Sequence, residues 1–501
     1  MSLTSSSMPA RAKRGYFSLA RLRRPFRTEA GVETIEATAR NPAATTPACP
    51  LPDLTRPALW VFGTFILAAV MSGRCLYGDG SYEFVRVLEA GTFVPLLGLR
   101  NYASNCYEFF LVVAIKLGIT DLGLLRIAFG LGCFLPWPVA LWVCHRFAPR
   151  HFWLVVLACA GGYMNAAFLA VGEHVVAHAF FWICLFALLY VRPLTPFAGG
   201  LLLLSAVILC RSYESLLFLG PPLAGIALWR AAGRPVRWVE RLTLLVASVC
   251  FLVATATSLR GTLFPEVPGN LSGFKQGLLS ELLSPSWTFG WSLGWTLLFP
   301  GLMVSPTLRR DLSSKWLQGL LAAGLAVWGL GPILLPGLLM PRTQHSDRFL
   351  ELLVPLALLP VALLLAWRPD GLQPYRTWLV RFSASFLLAQ ALWQLSATWQ
   401  WTGFVGTLRG VLASRTGPLP VAATPIAAGV IDGQALNFDW WWANPSLSIV
   451  LSPGGQVRSM LMPPSPQKWE PFNPLDPRRL PKLERYGINY RAYVATLART
   501  E

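Results

Sequence analysis

The residues best suited to chemistry lie in the stretch Tyr77-Gly-Asp-Gly-Ser-Tyr-Glu-Phe-Val-Arg-Val-Leu-Glu89. A helix starting near Asp79 puts Asp79, Glu83 and Arg86 on one stripe, with Tyr82 beside them. Asp79 then stands at the exposed N-terminal end of a short amphipathic helix lying at a membrane surface, where a carboxylate can take the proton of a hydroxyl. Phe84, Val85 and Leu88 point away, towards lipid or protein. A solvated loop helix with ordinary charges is the competing reading of the same residues.

Other ionisable residues gather at the ends of apolar runs: Glu173, His174 and His178; Arg211, Tyr213 and Glu214; His345, Asp347, Arg348 and Glu351. Such groups at membrane spans are costly and tend to mark function. Local pairs are the plainer alternative. Arg211 and Glu214 can bridge one turn, and Glu351 can pair with Arg348 at helical spacing. His174 and His178, one helical turn apart, could take a metal with Glu173, yet a pair of this kind is more often a hydrogen-bonding site. A divalent metal is therefore not supported, and no cofactor is expected. Asp121 reads as a helix N-cap.

The elements that position these residues are apolar helices. The chain has 501 residues, 54% hydrophobic and only 13% charged, with mean hydropathy +0.50. This excludes an ordinary soluble globule and gives an all-α polytopic membrane protein of about eleven transmembrane helices. The expected spans are 58–76, 121–144, 152–170, 174–191, 197–211, 213–230, 239–259, 287–305, 315–339, 348–367 and 377–398. The formal charge of +18 sits largely in short loops and the two tails, so membrane orientation explains it and no nucleic-acid partner is expected. Residues 1–56 read as a disordered basic cytoplasmic tail without a cleavable signal peptide, because a polar stretch follows Arg27. The basic segments 145–150, 229–237, 308–310 and 368–376 then share the cytoplasmic side, and the C-terminus is extracytoplasmic.

For this count to hold, the apolar part of Asn101 to Leu117 must not cross. It is short enough to be a second interfacial helix, with Glu108 and Lys116 on its wetter side. The first outer loop thus holds two juxtamembrane helices within 79–118, near 79–91 and 105–118. Pro136 and Pro138 should kink the second span. Residues 57–398 form the membrane domain, and 399–501 a small extracytoplasmic α+β region with a hairpin of 446–451 and 456–461. Asp439-Trp-Trp-Trp442 reads as a surface aromatic anchor, and Asn270-Leu-Ser272 as a glycosylation sequon. Six of the nine cysteines are small hydrophobes of the spans, whereas Cys75 and Cys106 share the first outer loop, where a disulfide would fit an oxidising compartment.

From about residue 57 to 368 this arrangement resembles the polytopic glycosyltransferases of the GT-C fold, above all the branch of protein O-mannosyltransferases and lipid A aminoarabinose transferases. The similar features are a first span followed by an Asp-led helix with a Tyr three residues on, Asp79 to Tyr82. A second juxtamembrane helix ends Lys116-Leu-Gly118, and His345-Ser-Asp-Arg-Phe-Leu-Glu-Leu-Leu-Val-Pro355 precedes a late span containing proline. The resemblance implies that Asp79 is the catalytic base or acceptor-binding carboxylate, with Glu83 one turn on, and that Arg348 lies near the phosphate of a polyprenyl-phosphate sugar. His345, and further away Arg211 and Lys275, could add positive charge, and 260–286 could close over the donor. The pattern departs from the family at Gly80, where many members have a second acid. It departs again at Tyr102-Ala-Ser-Asn105, which replaces a proline element. The expected function is transfer of a sugar to an extracytoplasmic acceptor at the plasma (inner) membrane, with membrane lipids as the other partner. The alternatives are a non-catalytic scaffold that binds lipid-linked sugar, or a lipid or glycan transporter.

Overall fold

Helices with apolar faces account for most of the chain, and the longest of them sets the environment of the rest. A computed structural model describes residues 55–94, 98–164, 172–233, 236–264, 290, 293–298, 315–334, 344–368, 376–420, 438, 443–462 and 480–497, all within one compact unit, Pro52–Glu501. The basic tail, most of the expected span 287–305, the loop carrying Lys275 and the sequon, and the tryptophan run 439–442 lie outside the described residues.

The helices, in order, are α1 (Thr55–Met71), α2 (Asp79–Ala90), α3 (Asn101–Lys116), α4 (Leu122–Phe134), α5 (Pro136–Phe147), α6 (Phe152–Ala158), α7 (Glu173–Tyr190), α8 (Pro196–Leu209), α9 (Leu216–Ala232) and α10 (Trp238–Leu263). They are followed by α11 (Lys315–Leu334), α12 (Gln344–Trp367) and α13 (Arg376–Ser414). The C-terminal part holds β1 (Gly417–Pro420), α14 (Asn444–Leu451), β2 (Ser459–Met462), α15 (Leu480–Glu484) and α16 (Arg491–Leu497).

Among the described residues, three helical segments are long and apolar enough to cross a membrane: Glu173–Tyr190, Trp238–Leu263 and Leu350–Trp367. The pair α4 and α5, bent by 43° at the expected proline kink, makes a fourth. Shorter apolar helices include Thr55–Met71, Pro196–Leu209 and Leu216–Ala232. The chain is thus a helical protein of the membrane-associated class. α10 shows why: Trp238, Leu242, Leu245, Val249 and Leu252 are exposed on one face, while Leu244, Ala247, Phe251 and Ala254 are buried on the other. An apolar stripe of this length, about 39 Å at 1.5 Å per residue, suits lipid rather than water. On its buried side α10 meets α9 closely, since a Cβ at Gly220 would lie 2.3 Å from Thr255 Oγ1.

α7 is the central helix, buried on nearly all sides and apolar all round except at its first turns. Two of its neighbours run in its own direction. His178 meets Ser215 just before α9, and the backbone of Leu188 meets Arg230 near the end of α9, so α7 and α9 run the same way. Glu351 of α12 lies by His174, and Ala362 by Tyr190, so α12 runs with them. His151 stacks on Tyr190 at a centroid distance of 4.6 Å. The basic turns around residues 145–151 and 229–233 therefore share one end of the bundle, and Glu173, His174, Arg211 and Glu214 share the other, as the loop charges led us to expect.

Several expectations are corrected. α2 is not a surface helix: Gly80 through Val85, Val87 and Leu88 are buried. Glu108 is not on a wet face of α3 but fully buried, because Ser104, Tyr107, Glu108 and Leu111 form the inward stripe while Phe109, Phe110 and Val113 face out. α13 runs unbroken past the boundary expected at 398. Residues 446–451 are helical rather than the first arm of a hairpin. Pro445 opens the helix, and the Ser448 hydroxyl both donates to Asn444 O at 2.8 Å and accepts from Leu461 N at 3.0 Å. β2 pairs instead with β1, in parallel, with Gly417 opposite Ser459. Cys75 and Cys106 are free thiols, and Cys75 faces the carbonyl of Arg126 at 3.7 Å.

Candidate functional site

α2 is set by glycines at both ends. Gly78 (φ 58°) turns the chain so that Asp79 opens the helix, and Gly91 (φ 64°) closes it, its N–H donating to Val87 O. These are conformations that L side chains adopt only with strain. Asp79 is half-buried at the helix N-terminus, where the macrodipole favours an anion. The C-terminal part of the chain covers α2. The Ser81 hydroxyl lies 3.3 Å from the carbonyls of both Gly78 and Ala443, and Arg485 donates to Leu88 O at 3.3 Å.

Inward from Asp79, carboxyl groups accumulate. Glu83 is buried near the Tyr107 hydroxyl. Burial pushes its carboxyl well above the usual range, and Glu173, Asp79 and Glu108 add to the effect. Glu108 accepts a hydrogen bond from Val94 N at 3.0 Å through Oε2, yet burial still pushes it up to about 8, with Glu173 adding to the rise. The backbone of α3 reaches this point only because α4 carries Gly132, where a Cβ would sit 1.9 Å from Tyr107 O.

The cation of the cluster is Arg100, in the turn before α3. Its Nη2 lies 2.7 Å from Glu214 Oε1 and its Nη1 3.4 Å from Glu173 Oε2, and the guanidinium sits over the Tyr213 ring at 4.9 Å. Burial works against its charge, but Glu173 and Glu214 outweigh that and hold the guanidinium more firmly charged than usual. One residue along α7, His174 Nε2 is 3.5 Å from Glu351 Oε2, and His178 Nδ1 is 3.3 Å from the same oxygen. The other nitrogen, His178 Nε2, is 3.1 Å from Ser215 Oγ. Thus Asp79, Glu83, Glu173, His174, His178, Glu214 and the start of α12 meet at one end of the bundle.

The side-chain partners agree only in part with those that spacing suggests. Arg86, three residues on from Glu83, bonds the Tyr82 hydroxyl at 2.8 Å. Arg211 does not pair with Glu214, which belongs to Arg100; its guanidinium lies over the Tyr102 ring at 6.0 Å, on an exposed position. Glu351 faces the two histidines, and the side chain of Arg348, which helical spacing offered it, lies outside the described residues. The backbone of His345 and Arg348 opens α12, one to two turns before Glu351, and their side chains lie outside the described residues. Asp121 caps α4 as expected, accepting from Leu124 N at 2.7 Å.

Sequence reasoning missed Arg100 and Tyr107 and misread Glu108. Arg86, Arg100 and Lys116 are the cations between Asp79 and Lys116, and this scarcity beside several acids was the signal that could have singled out Arg100. Among the described residues no group of three or more His, Cys, Asp or Glu is disposed to hold a metal ion. Chemically, the arrangement offers a half-buried carboxylate at a helix start, neighbouring carboxyls that keep their protons near neutral pH, and a fixed guanidinium. Carboxyls driven apart in proton affinity are the usual equipment for acid–base work. No protein-family model matches the chain, and neither the curated proteins nor the solved structures contain one similar to it.

Proposed function

We propose that this chain is an integral-membrane glycosyltransferase that moves a sugar from a polyprenyl-phosphate donor to an extracytoplasmic glycan, lipid or protein. The observation that carries the reading is the meeting, through the first turn of α7, of the acids of α2 with the start of α12. In this reading about eleven helices cross the plasma membrane, the N-terminus is cytoplasmic and the cluster faces the opposite side. Asp79 takes the proton of the acceptor hydroxyl as its oxygen attacks the sugar C1. The bond from C1 to the phosphate oxygen breaks and its electron pair leaves with the phosphate. Arg348, helped by His345, neutralises that phosphate, a role suited to the planar guanidinium fork. Glu83 is held towards its neutral form by its surroundings, which leaves the role of base to Asp79.

The test is transfer of labelled sugar into membrane glycans by cells carrying the wild type or Asp79→Asn. We expect transfer to fall by about 10²–10⁴-fold; equal transfer by a well-folded variant removes Asp79 from the chemistry. A second reading, a non-catalytic binder of lipid-linked sugar, is favoured by the cover that Ala443 and Arg485 place over α2. It predicts that wild type and variant alike bind polyprenyl phosphate without transferring anything.

A further inference from the structure

The carboxylate of Glu351 is buried where two histidines of another helix converge on one of its oxygens, and three observations bear on what this does. First, the contact is built by backbone fit. The His174 ring folds back over Gly172, where a Cβ would lie 2.1 Å from His174 Cε1, so any larger residue would displace the ring. Second, the adjacent residue, Glu173, holds Arg100 of the first outer loop, so consecutive side chains of α7 reach the acid cluster and α12. Third, α12 is braced from a further side by the π-helical turn Cys159–Tyr163. A Cβ at Gly161 would stand 2.6 Å from Thr296 Oγ1 and 3.5 Å from Val354 Cγ2, and one at Gly162 would stand 3.9 Å from Glu351 Cα. π-turns of this sort recur at functional sites because they redirect a helix face.

We propose that Glu351 is a positioning residue: clasped by His174 and His178, it fixes the first two turns of α12, and with them Arg348 and His345, relative to the acids of α2. The inference rests on the glycosyltransferase reading for what those turns bind, but not for how they are held. Glu351 touches no substrate; it acts through the helix it belongs to. An anchor of this kind behaves as the outer partners of a binding site do, whose loss weakens ligand affinity without removing a ligand-contacting group.

Two measurements on the full chain in detergent micelles separate the parts. Hydrogen–deuterium exchange over residues 344–351 reads how firmly α12 is held. Binding of undecaprenyl phosphate, used as the probe, reads what its first turns do. In Glu351→Gln we expect faster exchange in this segment, little change elsewhere, and probe binding about 10–100-fold weaker. Glu351→Asp, which keeps the charge, should recover most of the binding, which a loss of mere bulk would not. Gly172→Ala, which leaves every ionisable group in place, should reproduce the faster exchange. Unchanged exchange in both Glu351→Gln and Gly172→Ala overturns the proposal. If exchange rises as expected but Arg348→Ala binds the probe as well as wild type, the positioning role stands and the phosphate-binding reading of α12 fails.

Discussion

Two buried arginines occupy opposite ends of the same helical bundle, and their surroundings differ. Arg230, at the far end of α9, donates to the carbonyls of Ala187 and Leu188 at 3.0 and 2.9 Å and to Val191 O at 2.5 Å, and pairs with Glu240 at 2.6 Å. The buried guanidinium there meets one buried anion, with Arg192 also nearby, and the remaining donors cap the open carbonyls at the end of α7. Arg100 sits near the beginning of α7, between Glu173 and Glu214, and the buried Glu83 and Glu108 both lie within the influence of the same Glu173. Among the described residues the acids here outnumber the cations, and two of them are held towards their neutral form. A balanced, fully bonded site is what stability alone selects. An unbalanced one persists at a cost, which is what the proposed function would call for at the Arg100 end.

The comparison breaks most readily at the level of activity. Asp79→Asn should lower sugar transfer by about 10²–10⁴-fold, whereas Arg230→Ala should leave transfer per folded molecule within about threefold of wild type. Equal losses, measured with labelled donor in purified membranes, would abolish the distinction between the two ends. Stability should show the opposite order. Arg230→Ala strands Glu240 and three carbonyls and should cost about 3–5 kcal/mol, read by thermal unfolding in detergent.

Glu108→Gln sharpens the contrast through pH. The ordinary glutamate value here is 4.5 and the folded value about 8, so the folded protein holds a proton that the unfolded chain releases between them. The penalty on the wild-type fold therefore grows as pH rises from 4.5 to 8 and is complete above that. The glutamine variant should match wild type near pH 4 and exceed it above pH 8 by on the order of 1–3 kcal/mol, seen as a higher midpoint of thermal unfolding. A variant with the same midpoint difference at both pH values would show that Glu108 does not titrate in this range. At the small end, Ser81→Ala should cost about 1 kcal/mol and speed amide exchange in α14 as well as α2, because its hydroxyl joins them.

What could be read from the sequence was what neighbouring residues decide. Asp79 opens its helix because Gly78 precedes it, Asp121 caps α4, and Pro136 and Pro138 bend the chain between α4 and α5. The gathering of basic turns at one end and of Glu173, His174 and Glu214 at the other was legible too, since loop charge is patterned along the chain. Partners chosen over distance were not. Arg100 finds Glu173 after 73 residues and Glu214 after 114, while Arg211, only three residues from Glu214, does not pair with it. Glu108 was misread because a short apolar helix with one acid looks amphipathic from either side; only the approach of α4 at Gly132 decides which face turns in. Ser446 to Leu451 alternates like a strand, but Pro445 and the serine hydroxyls, which satisfy backbone groups locally, favour the helix.

The bond between Ser81 and Ala443 joins residues 362 positions apart. A ribosome adding about 5–20 residues per second needs roughly 20–70 s to travel that far. For that whole interval the nascent chain carries its Asp-led helix without its final roof. A chain that ends shortly before residue 443 would have made most of its helices and still leave this one without the contact that Ala443 supplies.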